Sequence, residues 1–243
     1  MRLDKKAPTY AGLLIMLVVL MGLSGCGATV TDALSPAQLR VSIDIKDYHQ
    51  GTTQVAIHFA DHALNTVEFV HGETVTCNGV FLKYDSGFYA QMIGYGAYTG
   101  EVPLQPAGGS YTFVYTPAAS AGGSAITISV AVVNAPLTLT YPTSDATVPI
   151  PRTGSFIARY TPSGLANSVV VGSASDSRAH LTVTLALADS GSVTFNSSGF
   201  KDFEPGAGLL SLSRITSSKP GGLPFAAVNV SYENITTIPV IWQ

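Results

Sequence analysis

An all-β fold is predicted for this 243-residue chain by three observations. Short runs rich in Val, Ile, Thr, Tyr and Phe recur from Leu39 to Trp242, and clusters of Gly, Pro, Asn, Asp and Ser separate them. No stretch after residue 25 sustains a helical apolar period. Charged residues make up only 11% of the chain, against about 25% in ordinary soluble domains, so Ser, Thr, Ala, Gly and Asn must clothe the surface.

The strands are expected in two sets of about a hundred residues, each the size of one β-sandwich. The first comprises Leu39–Ile45, Gln54–Phe59, Thr66–Phe69, Glu73–Cys77, Val80–Tyr84, Tyr111–Tyr115 and Ala125–Val133, with Asn78-Gly79 as a two-residue hairpin turn. The second comprises Leu137–Tyr141, Ser155–Tyr160, Ser168–Ser173, His180–Leu187, Ser192–Asn196, Leu209–Ile215, Ala226–Tyr232 and Ile238–Trp242. Pro136 ends the last long strand of the first set, which places one domain at 38–134 and a second at 136–243.

The start of the chain reads differently. Arg2, Lys5 and Lys6 precede an uncharged apolar run from Ala11 to Leu23, the n-region and h-region of a signal peptide. That run is shorter than the roughly 20 residues needed to span a bilayer. It ends in Leu23-Ser24-Gly25-Cys26, which resembles the lipobox of bacterial lipoproteins: a branched apolar residue, two small residues and the cysteine. The resemblance implies removal of residues 1–25, a diacylglycerol thioether on Cys26 and often an N-acyl chain, with residues 26–37 as lipidated N-terminus and tether. Two or three buried acyl chains hold a protein stably on a membrane, whereas one does not. Gly27 stands where an Asp often signals retention in the inner membrane, so the resemblance favours the outer membrane or cell surface. No other cofactor is expected.

Loss of Arg2, Asp4, Lys5 and Lys6 with the leader moves the net charge from −3 to −5, which argues against a nucleic-acid partner. With Cys26 committed to lipid, Cys77 has no intramolecular partner and is expected as a buried, inert thiol in its β-branched run.

Two corners suggest related sandwiches. Leu104-Gln-Pro-Ala-Gly-Gly-Ser-Tyr111-Thr-Phe113 resembles the tyrosine corner of fibronectin type III and immunoglobulin domains, in which a Tyr entering strand F bonds backbone upstream and pins the crossover between sheets. Phe203-Glu-Pro-Gly-Ala-Gly-Leu209-Leu-Ser-Leu212 has the same frame with Leu209 in place of the Tyr, so packing alone is expected to hold it. The resemblance implies two tandem immunoglobulin-like sandwiches.

Candidate chemistry is sparse. His49, His58, Asp61, His62 and His71, with Glu68 and Glu73 nearby, are of zinc-ligating type, but His58 and His62 run from a strand into a loop, so no helix aligns them as in zincins. Tyr84, Phe88, Tyr89, Tyr95 and Tyr98 interleave with glycine and offer either a recognition surface or cross-strand packing. No Gly-x-Ser-x-Gly elbow occurs, no carboxylate pair can be nominated for glycoside hydrolysis, and Asp176-Ser-Arg178 and Asp189-Ser-Gly191 read as turns. Asn-x-Ser/Thr matches at Asn196, Asn229 and Asn234 are chance polar sequence in a bacterial chain. The expected function is therefore non-catalytic: envelope binding, adhesion or spacing, with an envelope protein or glycan as ligand. The rival is an envelope enzyme or metal-dependent accessory protein built on His49–His71. A third reading, an assembly accessory, would need an unpaired edge strand able to accept a partner strand.

Overall fold

The computed structural model describes residues 34–86, 96–119, 123–143 and 148–243. Its first strands, β1 (Arg40–Asp47) and β2 (Thr52–Ala60), form a hairpin whose turn contains His49 and Gly51 at positive φ. Period-two alternation sends Val41, Ile43 and Ile45 inward and Ser42, Asp44 and Lys46 outward. β3 (Thr74–Cys77) turns into β4 (Val80–Phe81) through Asn78 and Gly79, both left-handed with φ of 48° and 81°, as the expected Asn-Gly hairpin requires. Residues Val80–Tyr84, expected as one strand, divide at buried Leu82, beyond which the chain changes sheets and continues as β5 (Lys83–Asp85). β6 (Ala97–Pro103) was not expected; β7 (Ser110–Thr116) and β8 (Ile126–Ala131) were. Thr66–Phe69 makes only an isolated bridge, Ala60 to Thr66, because it is the crossover between the sheets.

The order β1-β2-β6-β5 faces β4-β3-β7-β8, which is the A-B-E-D and C′-C-F-G arrangement of an immunoglobulin-like sandwich. A second set follows with the same logic. β9 (Leu139–Tyr141), β11 (Phe156–Tyr160) and β15 (Ser192–Phe195) form one sheet in the order β15-β11-β9. Opposite it lie β12 (Ser168–Asp176), β13 (Leu181–Val183), β16 (Gly206–Ser218) and β17 (Ala227–Trp242), with β14 (Leu187–Ala188) on β12 and the unexpected β10 (Val148–Ile150) on β17.

β17 joins the two sets. The sequence suggested two strands here, but the chain runs unbroken for 16 residues. Its first half lies parallel to β1, from Arg40 opposite Ala227 to Asp47 opposite Asn234, so a single sheet runs β13-β12-β16-β17-β1-β2-β6-β5. Even-numbered side chains of β17 point to one face throughout: Val228, Val230 and Tyr232 enter the first core, Ile238, Val240 and Trp242 the second. Pro239 falls between the β1 and β10 pairings, where β17 has no ladder partner on that side among the described residues, so its missing N–H is tolerated.

The two cores share chain across the division expected at 134/136, since Phe225, Val228, Val230 and Tyr232 from the second stretch complete the first core. At the seam between cores the inward residues turn polar. Asn234 Nδ2 donates to Val133 O at 3.3 Å and Thr236 Oγ1 to Leu137 O at 2.8 Å, which lays the linker along β17. Within the span expected as tether, Leu34 packs against the first core and Pro36–Gln38 form a 3-10 turn with a capping box between Ser35 and Gln38.

Candidate functional site

Because both cores lie on one side of the long sheet, its other side faces solvent, polar where β1 meets the start of β17 and mixed with Val169, Leu209, Ile215 and Ile241 farther along. Where β1, β17 and the end of β16 meet, that face sinks into a cleft of about 590 Å³. Register sets its floor: Ser42 lies opposite Asn229, and Asp44 opposite Ser231. Ser217 is in turn paired with Ser231 from the other side, and Lys219 and Asn167 complete the rim. The cleft thus gathers a carboxylate, an ammonium, two carboxamides and several hydroxyls, a mixture of donors and acceptors without a dominant charge. Burial raises the Asp44 carboxyl above its ordinary range; Lys46 opposes that shift and Glu233 adds to it.

The sequence-nominated aromatics separate. Phe88, Tyr89 and Tyr95 lie outside the described residues. Tyr98 is core rather than surface: its ring stacks on Phe69 at 4.9 Å, its hydroxyl accepts from Phe69 N at 2.5 Å, and burial pushes its pKa up. Tyr84 is half-buried, 5.2 Å from the Tyr98 ring and pressed against the backbone of Gly96, where a Cβ would strike it. These two tyrosines pack across strands.

The histidines disperse as well. His49 sits in the β1–β2 turn with Nδ1 3.2 Å from Asp47 Oδ1, whereas His58 lies six residues up β2, about 20 Å away at roughly 3.3 Å per residue. His58 Nε2 meets Thr66 Oγ1 at 3.4 Å, and burial lowers its pKa to about 4. Asp61 is engaged by Asn65, His71 N donates to Glu73 at 2.9 Å, and His62 lies in the intervening turn. Among the described residues no three His, Cys, Asp or Glu side chains gather as a metal would require. Cys77 is buried, and burial pushes its thiol up to about 12. Cys26 lies outside the described residues.

Of the two corners, the first is a tyrosine corner: Tyr111 is fully buried, its hydroxyl accepts from Gln105 N at 3.3 Å and shares a 2.7 Å bond with Thr53 Oγ1. The second is held otherwise. Leu209 points to solvent at 49% exposure, and a buried carboxylate serves in place of a phenol. Asp176 accepts the backbone N–H groups of Arg178, His180 and Glu204 at 2.8–3.0 Å and pairs with His180 Nδ1 at 2.8 Å. Burial acts to raise this carboxyl, but the hydrogen bonds outweigh it and hold the group far below the usual range. Arg152 Nη1 adds a 2.6 Å bond to Phe203 O.

Asp189 also exceeds its expected turn role. It accepts from Ser163 N and Ser168 Oγ and pairs with Arg214 Nε at 2.9 Å, inside the seam where Arg214 is 1% exposed. The Arg214 guanidinium also donates to the carbonyls of Ala135, Pro136 and Thr161, so one cation fastens the linker to both neighbouring loops. Neither Asp176 nor Asp189 could be told from an ordinary turn residue in the sequence, because the partners that set them apart, Glu204 for Asp176 and Ser163, Ser168 and Arg214 for Asp189, lie more than twenty residues away.

Neither a protein-family model nor a curated protein matches this chain.

Proposed function

We propose that the protein is a lipid-anchored module of the bacterial cell envelope, tethered through Cys26, that binds a polar envelope ligand without chemical turnover. The observation that carries this reading is the 590 Å³ cleft on the open sheet face, a volume typical of small-ligand sites, where Asp44, Lys219, Asn167, Asn229 and four serines present donors and acceptors over walls to which Ile43 and Val230 also contribute. Such a lining suits the vicinal hydroxyls of a glycan unit, each able to donate and accept. The lipobox supports the anchoring half of the reading, and the seam fastened by Arg214 supports a stiff connection between anchor-proximal and distal sandwiches. Titration calorimetry of the full chain against envelope glycan fragments tests the binding half. Saturable heat that Asp44→Asn and Asn229→Ala each diminish is expected, and heat unaffected by both changes refutes it. Labelled palmitate tests the anchor, with incorporation expected in the natural chain and lost in Cys26→Ser.

A further inference from the structure

Among the described residues the end of the long sheet at β13 is an open edge, and its sequence is unusual for one. Natural sheets blunt exposed edges with Lys, Pro or inward charges. Here Leu181–Ala188 contains no charged residue and no proline, and Leu181, Val183, Leu185 and Leu187 are exposed at 66%, 56%, 84% and 41%. Beside them a groove of about 300 Å³ separates β13 and β14 from β15 and the 3-10 turn Ser197–Phe200. It lies where the first sandwich places strand D, β5; the second sandwich has no such strand among the described residues.

The edge is ready to pair. His180 O accepts from Asp176 N and Thr184 N donates to Gly172 O, so even-numbered backbone groups face β12. By the alternation of an antiparallel ladder, Leu181 and Val183 present their N–H and C=O outward. Moreover, Leu181-Thr182-Val183-Thr184-Leu185 reads the same in both directions. With Thr184 and Leu185, which follow β13, extended along its line, antiparallel pairing about a two-fold axis at Val183 sets Leu181 against the partner's Leu185, Thr182 against the partner's Thr184, and Val183 against its own counterpart. Every cross-strand pair then matches apolar with apolar or hydroxyl with hydroxyl, with no charge to repel.

We infer that β13 is a self-association edge through which two copies of this chain join by antiparallel strand pairing centred on Val183. The occupant is a second copy because the palindrome makes the edge complementary to itself, as an isologous two-fold interface requires. The exposed stripe amounts to about 400 Å² per copy, so even its complete burial would cover only about 800 Å² in the pair, less than the roughly 1,200–2,000 Å² of stable complexes. The dimer is therefore reversible in dilute solution and favoured where copies are concentrated.

Sedimentation of the full chain in detergent, followed over a concentration series, tests the inference. A monomer–dimer equilibrium is expected, weakened roughly tenfold or more by Val183→Lys and independently by Leu185→Lys. Near-UV circular dichroism establishes that each variant is folded. At the symmetry centre the two Val183 Cα atoms would stand about 5.5 Å apart, within disulfide reach. Val183→Cys should therefore give a covalent dimer on mild oxidation, while Ser129→Cys, exposed on the edge strand β8, should not. A chain that stays monomeric to the millimolar range overturns the inference. So does a dimer indifferent to both lysine substitutions, or cross-linking no faster at 183 than at 129.

Discussion

Replacing Phe59 with Ala in the first core should lower the melting temperature of the second. Phe59 is fully buried on β2, with the rings of Phe69, Tyr98, Tyr115 and Phe225 at 4.7–6.4 Å. Phe225 belongs to the segment that returns from the far end of the chain, immediately before β17. Truncating such a ring costs about 3–5 kcal/mol, the sum of lost transfer energy and the cavity left behind. For a chain of this size each kcal/mol moves the midpoint by roughly 2–4 °C, so a fall of roughly 6–20 °C is expected. The two cores can be told apart, because Trp242 is the only tryptophan and lies in the second core, while four of the five buried tyrosines among the described residues, Tyr98, Tyr111, Tyr115 and Tyr232, lie in the first and only Tyr160 in the second, so the tyrosine signal is weighted to the first. Tryptophan emission and the tyrosine near-ultraviolet dichroism should shift together, since β17 cannot leave one core while ordered in the other. If the tyrosine signal melts early in Phe59→Ala and Trp242 keeps its original midpoint, the cores are energetically independent and the argument from the shared strand is wrong.

Three further outcomes follow from buried polar groups. Tyr111→Phe leaves Thr53 Oγ1 and Gln105 N without their phenolic partner and should cost about 1–3 kcal/mol in urea unfolding, whereas the same change at half-buried Tyr84 should cost less. Arg214→Met strands the buried Asp189 carboxylate and should cost about 3–5 kcal/mol, with Asp189→Asn partly restoring stability in the double variant. His58, whose pKa falls to about 4 on folding through burial, binds its proton more readily in the unfolded chain. Stability should hence be unaffected by this group above about pH 6.5 and should drop by at most about 3 kcal/mol as the pH falls from there to 4; His58→Gln should flatten that slope in acid-titrated unfolding.

Local pattern made much of the fold legible. The Asn78-Gly79 turn, the tyrosine corner at Tyr111 and the period-two strands are properties of a few adjacent residues, and each appears in the structure. What escaped the sequence is non-local. The parallel pairing of Arg40 with Ala227 leaves no mark in either segment, and Thr236-Thr237 and Pro239 disguise one long strand as two. β6 was hidden because Gly96 and Gly100, which make room for Tyr84 and Leu82, read as loop residues beside the aromatic run. The cleft could not have been nominated at all. Its serines and asparagines come from four stretches of chain, and each taken alone is an ordinary solvated side chain.

The two ends of the long sheet are unequal, and the difference bears on how the molecule avoids indiscriminate association. At one end β5 carries Lys83 and Asp85, whose charges discourage strand addition. The inner edge of β1, which would otherwise be exposed in the first sandwich, is covered along all eight residues by β17. The chain thus protects one edge by charge and another by its own C-terminal strand, while β13 to β14 has neither safeguard. An uncharged edge left bare beside two protected ones would be an aggregation hazard unless its pairing ended in a closed unit. A two-fold axis at Val183 supplies that closure, since it consumes both copies' β13 edges in a single interface and leaves none of that edge to recruit a third.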